Sequence, residues 1–429
     1  MIFLKRLFLK YRKLLLILFT VVGSKLMLTF VDLSISNFIG SNFKSDSIII
    51  ALALTSGVTN FVLLNIRKLT ISNIESKSNN ELFNFCCNNS LFLIIVISPI
   101  LVLSFLFPEI YMKFFFKNLS LESIKLLPFL IRSFALALMF NVLSNQTSIV
   151  LEKKGKAHLY PFSNMIYALT IIIFIMFFVL TKNYIYLGLS YMFGSICQFL
   201  FILYKVKLTN FSFGRLPFKS FSLLLNSIFP IIIIQIVNET AKLYEKSLSI
   251  QLGEGVMSIY YYSNKINLSI IGIIITVLSY YYLSKLSDFH KNNIFLFKSK
   301  SLKVLKVSSL LLIFLIIFLN IFGDFIINNT VNYNGLISNE DLLTNSFQLY
   351  NNASLFYCII QVIIIIFIAA KKIVMAYIPV IIFAFLKIIL LYVYSDSLLN
   401  LTIPKIHLFS LLLSSSISLI MFKKYIYDK

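Results

Sequence analysis

Residues 256–284 read VMSIYYYSNKINLSIIGIIITVLSYYYLS. The stretch has the length and apolarity of a membrane-spanning helix, for which about 20 residues suffice. Lys265 interrupts it. A charge near the centre of a bilayer costs at least ~2.5–3.5 kcal/mol on the insertion scale, so a compensating environment is required. Tyr261, Lys265, Ser269, Gly272, Thr276 and Ser279 recur at spacings of three and four, which places them on one helical face. A polar face on a spanning helix lies against protein or against a water-filled cavity. Hydrogen bonds between helices account for the hydroxyls. The lysine points instead to a hydrated cavity with a cationic lining.

The rest of the chain has the same character. Of 429 residues, 59% are hydrophobic and only 13% charged, and the mean hydropathy is +0.91. Soluble domains carry about 25% charged residues, so this chain is built largely against lipid. Apolar runs predict about twelve spans: 14–39, 47–66, 85–107, 126–151, 159–181, 184–204, 221–252, 256–284, 304–322, 342–368, 374–394 and 401–422. No polar stretch is long enough for a separate soluble domain. The fold expected is an all-α integral membrane protein with two six-helix bundles, residues 1–204 and 221–429, joined by a cytoplasmic linker at 205–220. The bundles would flank a central cavity, a common transporter plan.

The net charge of +22 follows from where the basic residues fall. One set of alternate loops, with both termini, holds 26 of them; the other set holds Lys44, Lys113, Lys117, Lys125, Lys182 and Lys405. The positive-inside rule puts the richer set, and both termini, in the cytoplasm. That distribution makes a nucleic-acid partner unnecessary. The lead into the first helix (Lys5, Arg6, Lys10, Arg12, Lys13) has no small-residue cleavage site after it. Cys86, Cys87, Cys197 and Cys358 have neither metal-ligand spacing nor a disulfide pattern. No phosphate-binding loop, metal cluster or catalytic triad is present. The chain is therefore expected to be a transporter without cofactor or metal, not an enzyme.

Other charges share the spans with Lys265. Ser24, Lys25 and Asp32 lie in the first, and Gln235, Asn238, Glu239, Lys242, Lys246 and Ser249 form a stripe on the seventh. Intrahelical pairing with Glu239 and Glu245 is open to Lys242 and Lys246. Arg132 and Lys387 lie near helix ends, where snorkelling is expected. A cationic cavity suits an anionic substrate such as a phosphate or pyrophosphate.

Residues 246–288, KSLSIQLGEGVMSIYYYSNKINLSIIGIIITVLSYYYLSKLSD, resemble the helix seven to eight segment of MurJ-type lipid II flippases. SKLMLTFVD (24–32), IGSNFKSDSIIIA (39–51) and YNGLISNEDLLTNSFQLY (333–350) resemble further blocks of that family. The resemblance implies the fold of the multidrug/oligosaccharidyl-lipid/polysaccharide exporters. It also implies that Ser24 and Lys25 match a cavity-lining Ser-Arg pair. Asp46 would match an acidic residue at the outer end of helix two, and Lys265 the cavity arginine of helix eight. Two family arginines are lysines here, the helix-two arginine falls near Thr59, and the family usually has fourteen spans. Those departures favour a relative that flips a polyprenyl-pyrophosphate-linked O-antigen or capsule repeat unit across the bacterial inner membrane, as lipopolysaccharide assembly requires. Lipid II for peptidoglycan is the alternative, and a cation-coupled drug antiporter of the same fold a third. Ser24, Lys25, Asp46, Glu239, Lys242, Lys265 and Ser269 are the expected substrate-binding residues. Membrane lipid, glycosyltransferases and a glycan polymerase are the expected partners.

Overall fold

Thirteen α-helices make up almost all of the described residues. The computed structural model describes residues 2–60, 79–116, 119–206, 218–331, 334, 337 and 339–427. In chain order the helices are α1 (Ile2–Ile39), α2 (Phe43–Asn60), α3 (Asn79–Leu106), α4 (Pro108–Phe115), α5 (Leu121–Lys153), α6 (Leu159–Thr181) and α7 (Ile185–Val206). They continue as α8 (Phe218–Gln251), α9 (Val256–Asn292), α10 (Ile294–Thr330), α11 (Glu340–Ala369), α12 (Ile373–Val393) and α13 (Thr402–Phe422). All but α4 coincide with an expected span. By length and composition, eight segments among the described residues can cross a membrane unaided, and a ninth span forms if α3 counts as one. Helix α3 bends by 47° between Ile95 and Ile97. Pro99 accounts for the bend, because its ring crowds the carbonyl four residues earlier, at Ile95.

Two expected loops are helical. The first is 285–303, where α9 runs to Asn292 and α10 starts at Ile294. Asn293 alone breaks the helix, in extended conformation, and its side chain caps α10 by accepting from the Leu296 N–H at 3.0 Å. Lysine is a good helix former, so the basic segment simply extends both helices past the apolar run. Likewise α10 continues to Thr330, into the expected 323–341 loop. Arg67, Lys68 and Lys77, most of the 205–220 linker, and the side chains of Thr59, Cys87, Gln235 and Ser279 lie outside the described residues.

The chain divides into two compact units, Met1–Ile35 with Ser47–Ile228, and Ser36–Asp46 with Phe229–Lys429. In the first, α7 packs against α5 and α6, and α3 against α5. Gly188 permits the α5–α7 approach; a Cβ there would lie 2.4 Å from the Phe129 ring. In the second, α11 is the central helix, packed against α9, α10, α12 and α13. Buried polar side chains join these helices through backbone carbonyls. Ser263 donates to the Leu343 carbonyl at 3.0 Å, Asn267 to that of Phe347 at 3.2 Å, and Asn351 to that of Ile316 at 3.1 Å. Such bonds hold helices together where lipid supplies no hydrophobic drive between them.

Candidate functional site

The second unit contains a pocket at the junction of α8, α9 and α11. It is lined by Glu245, Lys246 and Ser249 from α8, by Met257, Tyr260, Tyr261, Asn264, Lys265 and Leu268 from α9, and by Tyr350 from α11. Its volume is about 90 Å³. A water molecule needs about 10–15 Å³ by the same measure, so the space admits several waters or a small anionic group.

Lys265 is the expected centre of this site. Its ammonium donates to the Tyr261 hydroxyl at 3.1 Å and lies 5.3 Å from the centre of the Tyr261 ring. Lys246 lies 5.8 Å from the same ring. Two cations thus converge on one tyrosine, whose quadrupole attracts both. Spacing on α9 brings this about: Tyr261 and Lys265 are one turn apart on the same face. The neighbouring stripe of α8 supplies Lys246. Intrahelical pairing is the expectation for Lys246, but it lies one residue from Glu245 and seven from Glu239, and charges pair along a helix at spacings of three or four. The structure gives those carboxylates other principal partners, so Lys246 contributes its charge to the pocket. Tyr350 and Asn264 have no sequence signal beyond lying in polar positions of apolar helices.

Several expected site residues lie elsewhere. Lys242 pairs with Glu239 at 2.7 Å along α8, as intrahelical spacing allows. Neither lines the pocket, and the Lys242 side chain is 41% exposed. Ser269 is half-buried one residue beyond the pocket-lining Leu268. Asp46 is buried and committed to a helix end. Its carboxylate accepts from the Gly255 N–H at 2.9 Å, the Ser258 N–H at 3.0 Å and the Ser258 hydroxyl. Gly255 precedes α9 with φ +79 and brings no capping side chain of its own, so Asp46 satisfies the orphan donors there. Ser24 and Lys25 belong to the first unit. Ser24 is buried and donates to the Val21 carbonyl of its own helix at 2.9 Å, and Lys25 is half-buried.

Lys387 overturns the snorkelling expectation. It is 1% exposed and its ammonium meets Glu245 of α8 at 2.5 Å. An ammonium enclosed by protein does not extend to water, and a carboxylate meets it instead. Arg132, by contrast, is exposed and donates to the Phe105 carbonyl at 2.9 Å. Among the described residues no group of His, Cys, Asp or Glu could hold a metal ion.

A family model described as lipid II flippase MurJ matches residues 70–427. Among solved structures, one of lipid II flippase MurJ in an inward closed conformation is similar at 20% identity, with TM-score 0.79, over 96% of this chain and 88% of that one. A mutant of the Vibrio cholerae MATE transporter VcmN is similar at 10% identity and TM-score 0.69, covering 97% of each chain. A MOP-superfamily transporter from Pyrococcus furiosus is similar at 14% identity and TM-score 0.67, over 96% of this chain and 95% of that one. No curated protein sequence matches the chain.

Proposed function

The chain belongs to the MurJ lipid II flippase family, and from that premise we propose that it moves lipid II from the cytoplasmic to the periplasmic leaflet of a bacterial inner membrane. The family match over residues 70–427 carries this reading. It favours the peptidoglycan precursor over the O-antigen or capsule unit that the lysine-for-arginine exchanges suggest. The multidrug-transporter likenesses, all at low identity, speak to the fold alone.

In this proposal Lys265 and Lys246 hold the pyrophosphate. Ammonium groups serve as compact point charges toward phosphate oxygens. A headgroup phosphate would sit beside Tyr261, on which the two lysines converge. Movement of the two six-helix halves would expose the site first to the cytoplasm and then to the periplasm. The membrane potential assists outward movement of an anion by about 2.3 kcal/mol per charge per 100 mV.

The deciding experiment is reconstitution into liposomes with labelled lipid II on one leaflet. Flipping of lipid II in preference to a polyprenyl-pyrophosphate-linked O-antigen unit is the expected result. Preference for the O-antigen unit would overturn the substrate assignment.

A further inference from the structure

Helix α10 keeps one register from end to end. Its buried residues recur every three or four positions, from Phe297 and Ser301 through Ser308 and Ile316 to Ile327. That face packs against α9 and α11, so the opposite face is continuous as well. On it Leu310 is 67% exposed, and Phe314, Ile317 and Ile321 follow, also exposed, at helical spacing. Lys306 and Asp324, both exposed, bound this stretch. At 1.5 Å per residue they lie about 27 Å apart along the axis, close to the thickness of a hydrocarbon core, about 30 Å. The exposed apolar side chains between them are therefore placed to meet acyl chains.

Beyond the apolar run the same face carries lysine. Lys306 and Lys303 precede Leu310 by four and seven residues and share its face; Lys300, ten residues before, lies on the flank. All three are exposed, and among the described residues none of them has an ion-pair partner. Along the axis they lie about 6, about 10 and about 15 Å from Leu310. The headgroup layer is roughly 5–8 Å deep on each side of the core. Lys306 and Lys303 thus hold their ammonium groups at phosphate level, since a lysine stem is long enough to adjust its depth. Lys300 acts from within a Debye length, about 8 Å at physiological ionic strength.

We propose that this face of α10 binds an anionic phospholipid, with its phosphate against Lys306 and Lys303 and its acyl chains along Leu310 and Phe314. Lys300 adds to the local potential. Charge complementarity selects an anion. The unbroken passage from lysine to lipid-facing leucine selects an anion that carries acyl chains over an acidic protein. The positive-inside rule makes this the cytoplasmic leaflet. No residue of α10 lines the pocket beside Tyr261, so this lipid is distinct from the transported one.

The chain contains no tryptophan, which permits a direct test in the full-length protein. Leu310→Trp places a single fluorophore on the lipid-facing surface beside the lysines. Ile321→Trp, at a position 69% exposed, places one on the same face near Asp324. Each variant is reconstituted into vesicles of phosphatidylglycerol and phosphatidylcholine, with bromine on the acyl chains of one lipid or the other. Quenching then reports which lipid occupies the surface at each position. At Leu310→Trp phosphatidylglycerol is preferred about fivefold, the change that one lysine near an anionic surface supplies; at Ile321→Trp the ratio stays near one. Adding Lys300→Gln, Lys303→Gln and Lys306→Gln returns the Leu310→Trp ratio to one. A ratio of one with the lysines in place would overturn the proposal and leave the face to another occupant, such as an acidic protein. A preference that survives removal of the three lysines would overturn it too. If the triple variant does not fold, salt decides in its place. At about 1 M the Debye length falls to about 3 Å and the preference is lost, whereas an unchanged ratio would refute the lysine contacts.

Discussion

Asp46 and Glu254 cap one another's helices. Asp46, in the first turn of α2, accepts from the Gly255 N–H at 2.9 Å at the start of α9. Glu254, just before α9, accepts from the Phe43 N–H at 3.0 Å at the start of α2. Ser45 and Ser258 close the clasp with a hydroxyl contact at 2.8 Å. Each carboxylate lies where a helix N-terminus is electropositive.

Removing Asp46 therefore acts on folding before it acts on transport. Asp46→Ala leaves buried N–H groups of α9 without acceptors and lowers stability by about 1 kcal/mol or more. Asp46→Asn keeps a carbonyl acceptor and loses less. Thermal unfolding of the purified variants in detergent measures the difference. Equal stability of Asp46→Ala and wild type would disprove the capping role.

Gly255 is the second half of that clasp. Its φ of +79 is one that residues with a Cβ rarely adopt, and an added Cβ would lie 2.5 Å from the Ser41 carbonyl oxygen. Both effects act together, so Gly255→Ala costs more than about 1 kcal/mol. The readout is the yield of folded, monodisperse protein and its unfolding midpoint. An alanine variant as stable as the parent would contradict this geometry.

Lys246 and Lys265 converge on Tyr261, so they should act on one ligand. Each alanine substitution should lower lipid II flipping about tenfold or more, on the order of 1.4 kcal/mol. The second substitution should add less than the first, the non-additivity expected of groups sharing a partner. Lys265→Arg should retain activity because the charge stays in place. Rates are compared at matched protein levels; strictly additive losses would assign the two lysines to separate roles.

The orientation has its own test. Lys298 lies on the helical extension of α10, in the basic segment that the positive-inside rule puts in the cytoplasm. A cysteine placed there in a cysteine-free background should react with a permeant maleimide and resist an impermeant one in intact cells. Labelling by the impermeant reagent would reverse the topology.

Much of this protein is legible without coordinates. Apolar runs about 20 residues long are a local property, and lipid leaves the backbone no alternative to helix. The bounds of α6 coincide with the expected 159–181 span for that reason. Lys265 stands out through the cost of a charge in an apolar helix, and it lines the pocket. Pairings between helices are not legible, because they depend on which faces meet. Glu245 has lysines in reach on its own helix, yet its carboxylate meets Lys387, 142 residues away. Asp46 resembles a site residue by position, and only the approach of Gly255, 209 residues on, turns it into a cap. Lys246 lies one residue beyond Glu245; what separates a pocket cation from a buried pair is the packing of α8 against α9 and α11. Sequence period sets which residues share a face, whereas tertiary packing sets what that face meets.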